Sequence, residues 1–253
     1  MSRTSQPNLQ LFLNRLTSRS MLTGEEQQAI LSLPGYAAQV QANRDFVRLD
    51  EVVDHACLVV DGLVGRFGQN AEGLRQITAI HIAGDMPDLH SVVLPQSTSA
   101  LQALSTATVL KVPHTALRAA ARRHPAIAEA LWRDCMVDSA ILAQWVVNVG
   151  RRDAQTRMAH LLCEMAVRCE AVRGAGAVGF ELRLTQMHLA DATGLTAVHV
   201  NRTLKAIRAR GLASIANRVV TIHDWPGLAR LGEFDPGYLQ RDLRTAQRLR
   251  ILE

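Results

Sequence analysis

The fold is decided by residues 185–222, TQMHLADATGLTAVHVNRTLKAIRARGLASIANRVVTI. Thr185 is placed to cap a short helix running to about Ala192, because a threonine hydroxyl accepts the amide protons that a first helical turn leaves unpaired. Gly194 supplies the backbone freedom for a tight turn, and Thr196 opens a second helix. Val200, Leu204 and Ile207 recur at spacings of four and three, which predicts one buried stripe. Ala197, Val198, Asn201, Arg202 and Lys205 fall on the opposite face. After Gly211, the runs Leu212–Ile215 and Arg218–Ile222 alternate about a turn at Ala216-Asn217, as a short hairpin does. Two helices joined by a glycine turn and closed by a hairpin make a helix-turn-helix with a wing, a module that lays its second helix in the major groove of DNA.

Charge is concentrated in the same place. Residues 151–230 carry 12 Lys plus Arg against 6 Asp plus Glu, a net of +6, whereas residues 1–150 carry 12 against 13 and the last 23 residues balance at 4 against 4. The surplus of +5 for the whole chain therefore surrounds the proposed reader. A localised cationic surface is what phosphate binding requires, since neutralising phosphates releases condensed counterions.

At 253 residues the chain can build two modest domains with a core. No apolar run approaches the roughly 20 residues that span a bilayer, and MSRTSQPNLQLFLNRL lacks the parts of a signal peptide, so no membrane partner and a cytoplasmic location are expected. Cys57, Cys135, Cys163 and Cys169 are scattered, with no C-x-x-C pair, and read as reduced thiols rather than a metal site.

Ahead of the reader, residues 8–33 predict two short helices, the second starting at Thr23-Gly24-Glu25-Glu26. From about Arg44 short strands follow, Ala56–Val60, Leu63–Phe67 and Leu74–Ile82, separated by Asp61-Gly62 and Asn70–Gly73 and closed by Gly84-Asp85. This spacing predicts a compact antiparallel roll. Residues 99–112 return to strand, a helix begins near His114, and Pro125 opens a long helix to about Val149. Ile127, Leu131, Cys135, Asp138, Leu142, Trp145 and Val149 fall on one stripe of that helix, while Val137, Ile141 and Val147 make other faces apolar. A helix greasy on more than one side needs two partners, and the expectation is the roll on one side and a second copy, through the seven-residue stripe, on the other. Gly150–Asp153 is expected to hinge into a helix with Met158, Leu161, Leu162 and Met165 inside. Gly174-Ala175-Gly176 then leads flexibly to the reader, and a charged helix ends the tail.

A roll, a long dimer helix and a C-terminal winged helix in this order resemble the Crp/Fnr superfamily of bacterial transcription regulators. The resemblance covers roughly residues 10–225 and is sharpest over Thr185–Leu212, where T-x-x-x-L-A-x-x-x-G-L-T-x-x-x-V-x-R-x-L-K-x-I-x-x-x-G-L stands intact. Gly84–His90 looks like a variant from a proteobacterial branch. The resemblance implies an α+β chain, with a cyclic-nucleotide-binding-like antiparallel β-roll and N-terminal helices (1–124), a dimerisation helix and hinge (125–150), a winged helix-turn-helix (151–230) and a tail (231–253).

The function implied is a regulator, not an enzyme, that binds an inverted-repeat operator on double-stranded DNA as a homodimer, with RNA polymerase as a further partner. By motif, Arg202 matches the family's base-reading arginine, whose fork holds guanine O6 and N7 together. Ala197 and Val198 stand where relatives often carry arginine and glutamate, so a different half-site is expected. Val198, His199, Asn201 and Arg202 are the base-reading set, and Thr185, Thr196, Lys205 and Arg218 the phosphate contacts.

The branch implied lacks both known sensor chemistries. Cyclic-nucleotide binders need a Gly-Glu and a clamp arginine; here Asp85 follows Gly84, and no arginine occurs between Arg75 and Arg118. A buried phosphate would lack its bidentate counter-charge, so cyclic AMP is not expected as a ligand. An iron–sulfur cluster is not expected either, because the first cysteine is Cys57. Two alternatives remain open at this point. One is haem or another small ligand sensed through His55, His81, His90 or His114. The other is a metal-dependent cupin-like enzyme built on His81, Asp85 and His90.

Overall fold

The computed structural model describes residues 6–172 and 178–240. The described residues divide into two compact units, one of residues 6–64, 81–140 and 239–240, the other of residues 65–80, 141–172 and 178–238. The predicted Gly174–Gly176 linker and the terminal charged helix lie outside the described residues.

The first unit opens with α1 (Gln6–Thr17) and α2 (Gly24–Leu31). Thr23 caps α2 in a full capping box with Glu26, the start legible in the sequence. β1 (Tyr36–Val40), β7 (Ala107–Pro113) and β3 (His55–Asp61) form an antiparallel sheet in that order, and β2 (Asp45–Val47) pairs antiparallel with β6 (Ala100–Ala103). The single strand expected over 99–112 is thus two strands, broken at Ser105-Thr106. Gly62 turns the chain out of β3 at φ 85°, where a Cβ would sit 2.5 Å from the Thr106 carbonyl oxygen, so only glycine fits.

Two buried clusters fill the unit. Leu9, Phe12, Leu16, Leu58, Leu110 and Ile127 anchor one beneath the N-terminal helices, and Val47, Cys57, Val59 and Leu101 the other between strands. α3 (His114–Arg123) and α4 (Pro125–Arg151) follow, with proline in the first turn of α4, where no amide proton is needed.

In the second unit, β4 (Val64–Gln69) and β5 (Arg75–His81) form a hairpin. Asn70 closes it by accepting the amide protons of Glu72 and Leu74. Asp153 caps α5 (Ala154–Arg168), whose Met158, Leu161, Leu162 and Met165 are all buried, as the periodicity predicts. Then come β8 (Val178–Glu181), α6 (Gln186–Thr193), α7 (Ala197–Ala209), β9 (Ala213–Ala216), β10 (Val219–Ile222) and α8 (Trp225–Leu231). The wing is a three-stranded antiparallel sheet ordered β8-β10-β9, one strand more than expected. Its turn falls at Asn217-Arg218, not at Ala216-Asn217, because Ala216 pairs with Val219. Both turn residues have positive φ, 51° and 66°, which a two-residue turn matched to strand twist demands.

No helix among the described residues is long and apolar enough to cross a membrane.

Candidate nucleic-acid interface

Local chemistry sets the two helices of the reader. The Thr185 hydroxyl oxygen accepts the His188 amide at 3.1 Å, and His188 Nδ1 accepts the Thr185 amide at 3.3 Å. Burial holds His188 below its usual histidine range, which keeps the ring neutral and able to accept. α6 ends at Gly194 in the left-handed region, φ 64°, where a Cβ would lie 3.1 Å from Val149. The Thr196 oxygen then accepts the His199 amide at 3.2 Å and starts α7.

Two side chains that sequence reasoning passed over hold the turn in place. Arg157 donates to the carbonyls of Thr193 (3.1 Å) and Arg152 (2.8 Å). Gln76, from the β4–β5 hairpin, donates to the Asp191 carbonyl. Neither has a local sequence signal, since their partners are 36 and 115 residues away.

α7 buries Val200, Thr203 and Ile207 and turns its other face outward. Val198, 82% exposed, and the exposed Asn201, Arg202 and Lys205 lie three, four and seven residues along that face, so their side chains converge. Arg208 continues the row and is a residue the sequence reading omitted; its signal was the same spacing, three beyond Lys205. His199 is half-buried and lies on the flank of this row, between the exposed and buried faces. Thr185 and Thr196 are exposed as the N-caps of α6 and α7, and Arg218 stands exposed at the wing tip. Arg183, by contrast, is held by Glu181 in two bonds of 2.8 and 3.0 Å. Among the described residues no carboxylate pairs with Arg202, Lys205, Arg208 or Arg218. Arg202, Lys205 and Arg208, three cations on one face of α7, are electrostatically suited to a polyanion, while Arg218 lies close enough to Glu181 to help Arg183 hold that carboxyl below its usual range.

The seven-residue stripe expected to meet a second copy is turned largely inward. Ile127 belongs to the core of the first unit, with Leu131 and Cys135 packed against it. Asp138 binds Arg15 at 3.1 Å, and Trp145, 4% exposed, donates to Glu164 at 3.0 Å. Val149 lies against Gly194. Of the seven, Leu142 alone is open. The apolar row that faces away from the protomer is Trp132 (71% exposed), Met136 and Val146 (66%), with the exposed Ser139 and Ala143 between. Its spacing of four, three, four and three is a heptad seam.

In the first unit, the carboxylate that follows Gly84 is engaged from within the chain. Buried Asp85 accepts from Arg15 of α1 and from the Ile82 amide at 3.0 Å. Arg15 also donates to Asp134 at 2.8 Å, and Arg19 reaches Asp134 at 2.6 Å. His55 is engaged by Asp54 at 2.7 Å and His114 by Ser91 at 2.8 Å. Among the described residues no group of three His, Cys, Asp or Glu is arranged to hold a metal ion.

Residues 156–231 match the Crp-like helix-turn-helix domain. The chain is 26% identical over 203 residues, 80% of its length and 81% of the relative's, to the nitrogen fixation regulation protein FixK of Azorhizobium caulinodans. It is 22% identical to the fumarate and nitrate reduction regulatory protein of Vibrio cholerae, over 72% of this chain and 73% of that one. The solved structure of FixK2 from Bradyrhizobium japonicum superposes with a TM-score of 0.71 at 26% identity, covering 79% of this chain and 98% of that one. These relatives are transcription regulators rather than enzymes, and residues 156–231 of this chain form a Crp-like helix-turn-helix domain, the DNA-binding module of such a regulator.

Proposed function

We propose that the protein grips an inverted-repeat operator as a homodimer, with α7 of each copy in the major groove. The observation that carries this reading is the outward face of α7, where Val198, Asn201 and Arg202 are followed by Lys205 and Arg208, none of these cations paired with a carboxylate. Arg202 is suited to guanine, Asn201 to adenine N6 and N7, and Val198 to the thymine methyl group. Thr185, Thr196, Lys205, Arg208 and Arg218 are suited to phosphates, which fix register without reading sequence. His199, on the flank, is assigned to the backbone rather than to a base edge.

The second copy docks on the seam of Trp132, Met136, Ser139, Ala143 and Val146, in place of the Ile127–Val149 stripe. An apolar row along an exposed helix, spaced for knobs-into-holes contact, supports that placement. Bound this way, the dimer presents two readers to half-sites about one helical turn apart. The protein works in the cytoplasm without cyclic AMP or an iron–sulfur cluster. RNA polymerase is its further partner at promoters.

Selection of sites from a random duplex library, with purified protein and no added ligand at near-physiological salt, tests the reading. An enriched inverted repeat is the expected result. Salt-sensitive binding with no recovered motif would contradict it.

A further inference from the structure

Beside the start of the seam, the first unit carries a cavity of about 410 Å³ between α3, the start of α4 and the turn at residues 89–93. That volume falls within the range of small-molecule sites, about 300–1,000 Å³. Its walls are mostly apolar, formed by Leu89, Val92, Ala121, Ala128 and Leu131, while Arg118 and Arg122 stand at its edge. These two arginines are exposed and one turn apart on α3, so their side chains share a face.

Their surroundings single them out. Neighbouring Arg123 reaches Glu25 at 3.6 Å, and Arg133 is paired with Glu129 in a bond of 2.5 Å. Among the described residues no carboxylate pairs with Arg118 or Arg122. A nucleotide would put too much polar surface on this lining, and a neutral apolar molecule would leave the guanidinium forks unused. A molecule with an apolar body and one carboxylate satisfies both parts, since planar guanidinium matches carboxylate geometry.

We propose that this cavity binds an amphipathic carboxylate, its tail against Leu89, Val92 and Leu131 and its head group against Arg118 and Arg122. Trp132 lines the same cavity and begins the exposed seam of α4, so an occupant alters the surface offered to a second copy. That consequence rests on the dimer reading; the binding itself does not.

Titration calorimetry of the full chain with decanoate, below its micelle concentration and without DNA, tests the site. Saturable binding of one molecule per chain is expected. The Arg118→Ala/Arg122→Ala double variant weakens it at least tenfold, decanol binds at least tenfold more weakly than decanoate, and Ala128→Leu blocks the cavity with the thermal melt unchanged. Equal affinity for decanoate and decanol, or no loss in the double arginine variant, would overturn the proposal. So would the absence of binding to the native chain. If binding appeared only in a Val146→Glu chain, the cavity would be covered by a second copy instead. Because no operator enters the measurement, failure here leaves the DNA reading standing.

Discussion

α7 and α4 each bury one side and leave the other uncovered, but the uncovered sides differ in chemistry. α7 offers asparagine and unpaired cations around a lone valine, while α4 offers tryptophan, methionine and valine at heptad spacing. The first surface stays hydrated by itself and has a polyanion as its complement. The second gains from leaving water, by roughly 25 cal/mol for each Å² of apolar area covered. One chain thus carries two unfinished helices, and what each lacks can be read from the atoms it leaves exposed.

The contrast can be broken most severely at the seam. Met136→Glu with Val146→Glu places two charges in the proposed contact, and light scattering is expected to report a monomer at micromolar concentration. Affinity for the full inverted repeat then falls at least a hundredfold, with the melting temperature of the isolated chain nearly unchanged. A dimer that survives both substitutions would move the interface elsewhere.

Next in size is Arg202→Ala, which removes one bidentate base contact. About 1–3 kcal/mol of discrimination is expected to go, flattening preference at one position of each half-site while weak salt-sensitive binding persists. A competition assay against single-base operator variants measures it, and an unaltered preference would refute the docking of α7.

The two faces of α4 can be compared through two tryptophans. Trp145→Phe deletes the indole donor to the fully buried Glu164 carboxylate and is expected to cost about 1–3 kcal/mol in urea unfolding. Trp132→Ala, on the exposed face, is expected to change the stability of a monomeric chain by less than about 0.5 kcal/mol. The reverse order would mean that the inward and outward faces have been exchanged.

The smallest effect separates positioning from reading on α7 itself. Arg208→Ala should weaken binding to all sequences alike and reduce the salt slope by about one, the signature of a single lost phosphate contact. A change confined to one base position would make Arg208 a reader instead.

The same pair of helices shows what was legible in the amino-acid order. α7 was legible because its start, turn and faces are local: Thr196 caps it, Gly194 frees the chain before it, and its buried residues recur at helical spacing. α4 was legible as a helix but not as an interface. Its apolar residues fill several faces, and only the packing of Ile127 into the core and the bond from Trp145 to Glu164 determine which face remains outside.

Other omissions have the same origin. β8 is four residues long and gains meaning only by pairing with β10. The Arg15–Asp85–Asp134 cluster joins positions 70 and 119 residues apart. α8 was missed although Asp224 caps it and Pro226 sits in its first turn, because Pro-Gly reads as a loop until the cap is noticed.

The exposed face of α7 is proposed to read base edges in the major groove, twice per operator. Methylation interference on a selected duplex tests it directly, because guanine N7 lies in the major groove and adenine N3 in the minor groove. Methyl groups at guanine N7 are expected to block binding at two symmetric positions about one helical turn apart, and Arg202→Ala is expected to abolish this sensitivity. Interference confined to adenine N3, or N7 sensitivity that persists without Arg202, would contradict it.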